Sequence, residues 1–188
     1  KGITGKIIRV QKGDSSGVVG GTPPRGKGNF PRTGGADCTK GFKNAQGKDC
    51  ICVNGSFFSN DTGWPVGSYK DCQGRTIGQS NDDLPIIITG NGHLQGKPSG
   101  TVLPRPGEKI GRTGACTDSN GNLLFLVVVD NSTGATGSSF STCMSSICGK
   151  PNKVVMLDGS GSSQIWHNGK PIYPGDRRRV VNWIVICE

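Results

Sequence analysis

Two short segments of the sequence place polar residues directly after an apolar run. Residues 54–56 follow the run 50–53, and residues 158–163 follow the predicted strand 153–157, which is apolar after Lys153. In the second segment Asp158 precedes a stretch of Gly and Ser, whose small side chains let backbone N–H groups approach a ligand. This pattern is typical of an anion-binding loop beside a catalytic or metal-binding carboxylate. It also fits a glycine-rich turn in which the aspartate binds its own backbone, and the residues alone leave both interpretations open.

Composition indicates which elements position these segments. The 188 residues include 32 Gly but only 4 Ala, 7 Leu and 2 Glu, so residues that favour helices are scarce. Ile and Val, at 14 each, favour strands joined by Gly-rich turns. The sequence therefore predicts an α+β fold, strongly sheet-dominated and disulfide-stapled, with one or two short helices; a mainly β fold is the alternative. Helical bundles, coiled coils and doubly wound α/β domains are excluded.

The length suits one domain, and we interpret residues 1–188 as a single domain. The apolar run 123–129 predicts a central strand covered on both faces, because no polar residue alternates within it. Residues 138–148 predict a short helix that ends at a glycine cap. Residues 12–37, rich in Gly, Pro and charge, predict a long loop. The preceding segment 3–10 is a candidate edge strand that could dock on a neighbouring molecule and support self-assembly.

The cysteines indicate where the protein works. Eight cysteines without C-x2-C spacing, beside only two histidines, favour four disulfides over a zinc site. Cys50 and Cys52 would share one face of a strand, so we expect them to bond different partners. Four disulfides, together with N-x-[ST] sequons at Asn54, Asn60 and Asn131, predict a secreted extracellular glycoprotein. The cysteines assigned to these bonds are Cys38, Cys50, Cys52, Cys72, Cys116, Cys143, Cys148 and Cys187.

Charge points to an anionic partner. Lys and Arg outnumber Asp and Glu by 22 to 13, which gives a net charge of +9. The cations are dispersed and lack interleaved aromatic residues, so we do not expect a nucleic acid partner. The longest apolar run is too short to cross a bilayer, so no membrane span is predicted. No G-x-S-x-G segment or Walker-type loop is present, and serine-hydrolase and P-loop chemistry are not expected.

Five motifs that could carry chemistry occur in a fixed order along the chain. The first is residues 54–58, which read Asn-Gly-Ser-Phe-Phe. The second is an Arg-Thr pair that precedes a strand ending in Val-Asp, at Arg112-Thr113 and Val129-Asp130. Residues 157–163 read Leu-Asp-Gly-Ser-Gly-Ser-Ser, and an Asn-Gly turn comes next at residues 168–169. Near the end, an arginine lies four residues before an asparagine, at Arg178 and Asn182.

In order and spacing these motifs resemble the phosphodiester glycosidase domain family. The resemblance extends from about residue 51 to residue 186. Where the family has Asn-Gly-Gly-Phe-Phe and Leu-Asp-Gly-Gly-Gly-Ser-Ser, this chain has Ser56 and Ser160 in place of glycine. Each serine adds a side chain at a position where glycine would let the backbone approach a sugar or phosphate.

The resemblance implies hydrolysis of a sugar-1-phosphodiester at the anomeric carbon, with release of the sugar and a phosphomonoester. Asp158 is implied as nucleophile, base or stabilising carboxylate, with Asp130 as a candidate second carboxylate. Arg112 and Arg178 are candidates for pairing with phosphate or with a carboxylate. The other residues implied in substrate binding are Asn54, Gly55, Gly159, Gly161 and Ser162.

Structural roles compete with these assignments. Arg112 and Arg178 would equally serve as salt-bridge partners within the fold, and Asp130 as a turn residue at a strand end. No cofactor is required by this chemistry, although a carboxylate beside a Gly/Ser loop could hold a divalent cation, and the metal is left open. The expected partner is a glycan or sugar phosphate. The alternative function is a non-catalytic extracellular protein of the same fold that binds glycans or self-assembles.

Overall fold

The structure is a computed structural model, and it describes residues 3–11, 13–78, 86–89, 92–95, 97–98, 104–118, 120, 124–149 and 154–188. Within these ranges it contains one α-helix, α1 (Gly137–Cys148), and short 3₁₀ helices at Gly35–Asp37, Lys43–Ala45 and Ser160–Ser162. The strands are β1 (Lys6–Val10), β2 (Ser15–Gly20), β3 (Cys50–Asn54), β4 (Ser68–Lys70), β5 (Thr76–Gly78), β6 (Ile86–Thr89), β7 (Gly92–Gln95), β8 (Lys97–Pro98), β9 (Arg112–Thr117), β10 (Leu124–Val129), β11 (Val154–Leu157), β12 (Ile165–His167), β13 (Lys170–Tyr173) and β14 (Asn182–Cys187).

These strands form three antiparallel sheets. The first sheet has the order β1-β10-β9-β11-β8, and the second has the order β13-β12-β3-β14-β2. A smaller third sheet has the order β5-β4-β7-β6. The prediction of a sheet-dominated, disulfide-stapled fold with one or two short helices is confirmed. The strand predicted at 123–129 is β10, and Leu123 lies outside the described residues.

The first and second sheets face each other across the main hydrophobic core. Leu126 and Val155 from the first sheet pack with Val53 and Ile184 from the second. β14 is buried on both faces, because Ile184 points into this core while Trp183 packs on the opposite side of its sheet. Burial of both faces explains why β14 has no polar alternation after its first residue.

Helix α1 covers the outer face of the first sheet. Phe140 and Met144 are fully buried there against Val127 and Met156. The helix begins at an N-cap, since Thr136 Oγ1 accepts a hydrogen bond from the backbone N–H of Ser139 at 3.2 Å. The helix predicted over 138–148 is thus present and begins one residue earlier.

Three disulfides fasten these layers. As expected, Cys50 and Cys52 bond different partners, Cys187 and Cys38 respectively. The bond between residues 50 and 187 joins register partners on β3 and β14. A third bond, Cys116–Cys148, ties β9 to the end of α1.

The prediction of a fourth disulfide is wrong, since Cys72 and Cys143 are free. Cys72 packs beside Phe42 on the outer face of the second sheet. Cys143 lies on α1, which covers the outer face of the first sheet. The two thiols are therefore on opposite outer sides of the sandwich and cannot meet.

The prediction of a loop over 12–37 also needs correction, because strand β2 lies inside it. Val18 and Val19 are both buried, one in the main core and the other on the outer face of the second sheet. β2 pairs with β14 over its whole length, from Ser15 opposite Cys187 to Gly20 opposite Asn182. A partner this distant in sequence stabilises a segment whose composition otherwise indicates a loop.

Candidate active site

A cleft of about 360 Å³ opens at one end of the sandwich. β3 ends there beside the start of β14, and β11 ends there beside the start of β9, because both pairs are antiparallel. The residues that follow β3 and β11 therefore meet between the two sheets. The cleft is lined by Phe57, Phe58, Asn60, Pro104, Arg105, Ile110, Arg112, Thr113, Met156, Leu157, Asp158, Gly159, Ser160 and Arg178.

Asp158 lies in this cleft directly after β11. Its backbone N–H donates to Gly55 O at 3.0 Å, and its Oδ1 accepts from the backbone N–H of Gly159 at 3.0 Å. The side chain is surrounded by protein yet keeps some surface open to the cleft. Burial raises the pKa of this carboxyl to about 6, opposed by Ser162, the Gly159 N–H and the charge of Arg178. A carboxyl with this pKa exchanges protons near neutral pH, as acid–base catalysis requires.

Asn54 fixes the backbone at Asp158 through a buried network. The Gln164 N–H can only donate, and it lies 3.1 Å from Asn54 Oδ1, so the amide orientation is unambiguous. Asn54 Nδ2 then donates to Asp158 O at 2.7 Å. Thr113 Oγ1 lies 2.9 Å from Asn54 Oδ1 and must donate to it, which leaves Ser163 Oγ, 3.0 Å away, to donate to Thr113. Because the Asn54 oxygen and one amide hydrogen are engaged and the side chain is completely buried, Asn54 supports the site from behind.

Gly55 and Ser56 are held by Asn182 at the start of β14. A Cβ at Gly55 would lie 1.9 Å from Asn182 Oδ1, so only glycine fits. Asn182 Oδ1 accepts from the Ser56 N–H at 2.9 Å, and Asn182 Nδ2 donates to Ser56 Oγ at 3.0 Å. The Ser56 hydroxyl is therefore used inside the protein, and it does not line the cleft.

Arg112 spans the wall of the cleft and binds backbone carbonyl groups. Its Nε donates to Ala135 O at 3.0 Å, and its Nη1 donates to Pro104 O at 3.3 Å. Its Nη2 donates to Arg105 O at 2.7 Å and to Glu108 O at 3.2 Å. The side chain is buried, and burial lowers its pKa, with a further contribution from the charge of Arg105. Arg112 therefore holds the 104–108 loop in place and adds a buried positive charge next to the cleft.

Arg178 is the arginine of the cleft with the most freedom to bind a ligand. Its side chain is 39% exposed, and its only ion pair among the described residues is a long one, 3.6 Å, to Asp176. Arg105 also lines the cleft, but it pairs with Glu108, and this contact lowers the pKa of that carboxyl. The positive charge of Arg178 also lowers the pKa of the Asp158 carboxyl.

The Gly/Ser segment after Asp158 is closely packed. A Cβ at Gly159 would lie 2.7 Å from Gly111 O, and one at Gly161 would lie 1.9 Å from Asp176 Oδ2. Ser160 has a positive φ of 56° and lines the cleft, whereas its N–H donates to Gly111 O at 2.7 Å.

Ser162 is completely buried in this segment. Its Oγ has no hydrogen-bond partner at normal distance within the described part of the chain, although it is near enough to Asp158 to lower that pKa. The structure therefore brings Ser160 to the cleft surface and Ser162 behind the carboxylate.

The structure does not bring Asp130 into the cleft. Asp130 Oδ1 accepts from the Ser132 N–H at 3.1 Å, and its carbonyl accepts from the Gly134 N–H at 2.9 Å, as in a turn at a strand end. Asp158 is thus the one carboxylate among the described lining residues. Within the described ranges, no group of three or more His, Cys, Asp or Glu side chains is placed to hold a metal ion.

Several lining residues were not assigned by the sequence. Asn60 forms part of the wall on the β3 side, and Pro104 and Ile110 form part of the opposite wall. The signal for Pro104 was the Pro- and Gly-containing segment 103–107 directly before Arg112, since such segments form surface loops that carry binding residues.

Fold and site together define a class: a disulfide-stapled antiparallel sandwich with one carboxylate and several arginines in a cleft at its end. The phosphodiester glycosidase family matches residues 71–187, more than half of the chain. The chain therefore belongs to the phosphodiester glycosidase family, and the resemblance stated from its motifs is confirmed.

Solved structures show the same fold. The catalytic domain of zebrafish N-acetylglucosamine-1-phosphodiester alpha-N-acetylglucosaminidase, auto-inhibited by its pro-peptide, matches with a TM-score of 0.65 and 15% identity, covering 98% of this chain and 82% of that one. A hypothetical protein from Synechocystis matches with a TM-score of 0.62 and 14% identity, covering 100% of this chain and 62% of that one. Identities this low establish a shared fold. No curated protein matches the sequence.

Proposed function

We propose that this protein is a hydrolase that cleaves a sugar-1-phosphodiester at the anomeric carbon. One observation carries the proposal: a single carboxylate, Asp158, shares the described lining of the cleft with Arg105, Arg112 and Arg178. Membership of the phosphodiester glycosidase family supports it.

The presence of one carboxylate among the described lining residues limits which glycosyl bond the cleft can break. Ordinary glycosidases use two carboxyl groups, because the departing alkoxide must be protonated while a second group attacks or activates water. The leaving group of a sugar-1-phosphodiester is a phosphomonoester, a stable anion that needs no such acid. Asp158 alone is then sufficient, provided that cations bind the departing phosphate.

The roles follow from the geometry. Water adds to the anomeric carbon as the bond from that carbon to oxygen breaks, and the bonding electrons leave with the phosphomonoester. Ionised Asp158 accepts the proton of the water and stabilises the positive charge that develops on the sugar. Arg178 is the primary phosphate ligand, because its guanidinium is exposed at the cleft and has only a long ion pair. Arg112 contributes charge, since its hydrogen bonds are largely committed to the wall.

The disulfides and an exposed glycosylation sequon support a secreted protein that acts on glycans. Three disulfides are typical of oxidising compartments such as the extracellular space. No helix in the described residues is long and apolar enough to span a membrane. Of the three sequons, only that of Asn60 has an exposed asparagine, since Asn54 is buried and Asn131 Oδ1 accepts from the Gly111 N–H at 2.9 Å.

A second candidate, a non-catalytic protein that self-assembles or binds glycans, is favoured by one observation. β1 is an outer edge of the first sheet, and Ile7 on it is 55% exposed. An apolar side chain on a strand with no second partner among the described residues is suited to strand addition by another chain.

The experiment that tests the enzyme is release of free sugar from a panel of sugar-1-phosphate methyl esters. The wild type should release sugar from at least one ester, and Asp158→Asn should reduce release by roughly 10³-fold or more, since Asp158 is the one carboxylate among the described lining residues. Asp130→Asn is the matched comparison and should retain release, because that carboxylate binds its own turn. No release from any sugar, with oligomers observed in solution, would instead favour the second candidate.

A further inference from the structure

A second arginine site lies at the rim of the cleft, beyond the residues used above. The guanidinium carbon of Arg32 lies 5.2 Å from the ring centroid of Phe58, which lines the cleft. Arg32 Nη2 donates to the carbonyl oxygen of Asn60, another lining residue, at 2.7 Å. Stacking and this bond place the guanidinium directly beside the wall that Phe58 and Asn60 form.

The backbone of Arg32 is fixed as firmly as its side chain. Arg179 Nε donates to Arg32 O at 3.0 Å, and Thr33 forms an antiparallel bridge with Val180. These contacts join Arg32 to the segment that carries Arg178 into the cleft. The chain segment that carries Arg32 is thus joined to the segment that carries Arg178.

The charge of Arg32 is not compensated within the described part of the chain. Arg75 pairs with Asp71, Arg105 with Glu108, and Arg178 loosely with Asp176, whereas Arg32 makes no ion pair there. Of the five N–H groups of this guanidinium, one on Nη2 is hydrogen-bonded within the described residues, to the neutral carbonyl of Asn60. A planar guanidinium that is stacked, oriented and unpaired can bind two oxygens of a phosphoryl group at little entropic cost.

We propose that Arg32 is a second anion subsite, and that the preferred substrate is a sugar whose leaving group carries two phosphoryl groups, a glycosyl diphosphate ester. This inference rests on the proposed function, because the first phosphoryl group lies at the Arg178 position next to Asp158. The second phosphoryl group extends past Phe58 and Asn60 to Arg32. Cleavage adds water at the anomeric carbon and releases the sugar and the diphosphate monoester, with the bonding electrons on the departing oxygen.

The test compares two esters of one sugar, the 1-phosphate methyl ester and the 1-diphosphate methyl ester, in wild type, Arg32→Gln and Arg25→Gln. Arg25 is exposed and outside the cleft lining, so its substitution removes the same charge elsewhere. Arg32→Gln should lower kcat/KM for the diphosphate roughly tenfold, through KM, and leave the monophosphate ester within about twofold. Arg25→Gln should change neither. An equal fall for both esters, or no change for either, would overturn the subsite.

A binding measurement separates this subsite from the proposed function. Calorimetric titration of Asp158→Asn with inorganic diphosphate and with inorganic phosphate should show tighter binding of diphosphate, and adding Arg32→Gln should remove the difference. Arg32→Lys, which keeps the charge without the planar fork, should retain part of it. If the wild type releases no sugar from any ester, the proposed hydrolase fails, yet the titration still decides the role of Arg32. Equal affinity for the two anions would refute the subsite, and thermal unfolding of each variant reports whether the wall has remained folded.

Discussion

Asn54 holds Asp158 by its backbone and leaves the carboxyl free: Asn54 Nδ2 donates to the carbonyl oxygen of Asp158 at 2.7 Å, from a side chain with no exposed surface. The two residues are on different sheets, since Asn54 ends β3 and Asp158 follows β11. The position of the candidate catalytic carboxylate therefore depends on how the two sheets pack.

This relationship predicts that Thr113→Val weakens the support of Asp158 while the rest of the fold is kept. Valine removes the hydroxyl that donates to Asn54 and accepts from Ser163, so a buried acceptor and a buried donor lose their partner. We expect the free energy of unfolding to fall by about 1–3 kcal/mol. The rate constant kcat should fall about tenfold with KM little changed, because the carboxylate shifts while the arginines stay. Urea unfolding and steady-state kinetics measure the two effects.

Ser163→Ala is the matched variant, since it removes only the last donor of the same chain of hydroxyls. Its effect on stability should be smaller, about 0.5–1.5 kcal/mol, and kcat should change little. A Ser163→Ala effect equal to that of Thr113→Val would contradict the donor directions assigned here.

Asp158 should make the protein less stable as its carboxyl ionises. The folded-state pKa of about 6 lies above the usual value of 3.8, so between these values the folded protein binds more protons than the unfolded chain. Stability must then fall as the pH rises from about 4 to 6 and level off above that. Asp158→Asn removes this dependence and should be more stable than wild type at pH 7 by up to about 3 kcal/mol. Unfolding of both proteins from pH 4 to 7 measures the difference, which should vanish near pH 4; a constant difference would contradict the raised pKa.

Substitution of Arg112 should mainly lower stability, whereas substitution of Arg178 should mainly lower activity. Arg112→Lys loses most of four bonds to backbone carbonyls, so we expect about 2–4 kcal/mol less stability. Arg178→Gln should cost less than about 1 kcal/mol, because its ion pair is long and partly exposed. Arg178→Gln should nevertheless reduce kcat/KM strongly. It should also shift the acidic limb of the pH–rate profile to higher pH, since the charge of Arg178 lowers the pKa of Asp158. Parallel losses of activity and stability in Arg178→Gln would indicate a structural role instead.

Ser160 should be replaceable by glycine with little loss of stability. Its φ of 56° is a left-handed conformation that costs an L-residue roughly 1–2 kcal/mol, whereas glycine adopts it freely but has more entropy to lose on folding. Ser160→Gly should therefore change the free energy of unfolding by about 0 to +1 kcal/mol, and Ser160→Ala should not stabilise the protein. Comparing kcat/KM of the two variants shows whether the Ser160 side chain or its backbone conformation affects catalysis. A gain in kcat/KM in both variants would show that the hydroxyl obstructs the cleft, and a gain in glycine alone would show that the backbone does.

The sequence predicted the elements whose signals are local. The run of β-branched and aliphatic residues in β10 and the capped helix α1 are both present, and Asp158 does follow a buried strand. β9 carried no such signal, because Gly114 is small so that α1 can approach: a Cβ at Gly114 would lie 2.9 Å from the Phe140 ring. A small residue that makes room for an element distant in sequence cannot be distinguished from a turn residue by sequence alone.

The site was predictable in its residues but not in their roles. Asn54 and Arg112 were assigned to substrate binding, whereas the structure commits Asn54 to Asp158 and Arg112 to the loop before it. Their partners lie at sequence separations of 104 and 7 residues, and they are backbone carbonyls, which any residue type can supply. Motif identity therefore cannot distinguish a residue that faces substrate from one that holds the residue that does.

The last prediction concerns the cysteines. Denaturation without reductant should expose two reactive thiols, Cys72 and Cys143, and peptide mapping should recover the three disulfides. In the native protein both thiols should react slowly at neutral pH, because burial raises the pKa of each. Replacing both by serine should cost little stability, whereas Cys187→Ser opens a bond that spans 137 residues and should cost roughly 4–5 kcal/mol by loss of the constraint on the unfolded chain. Recovery of a peptide linking residues 72 and 143 would contradict the placement of these thiols on opposite sides of the sandwich.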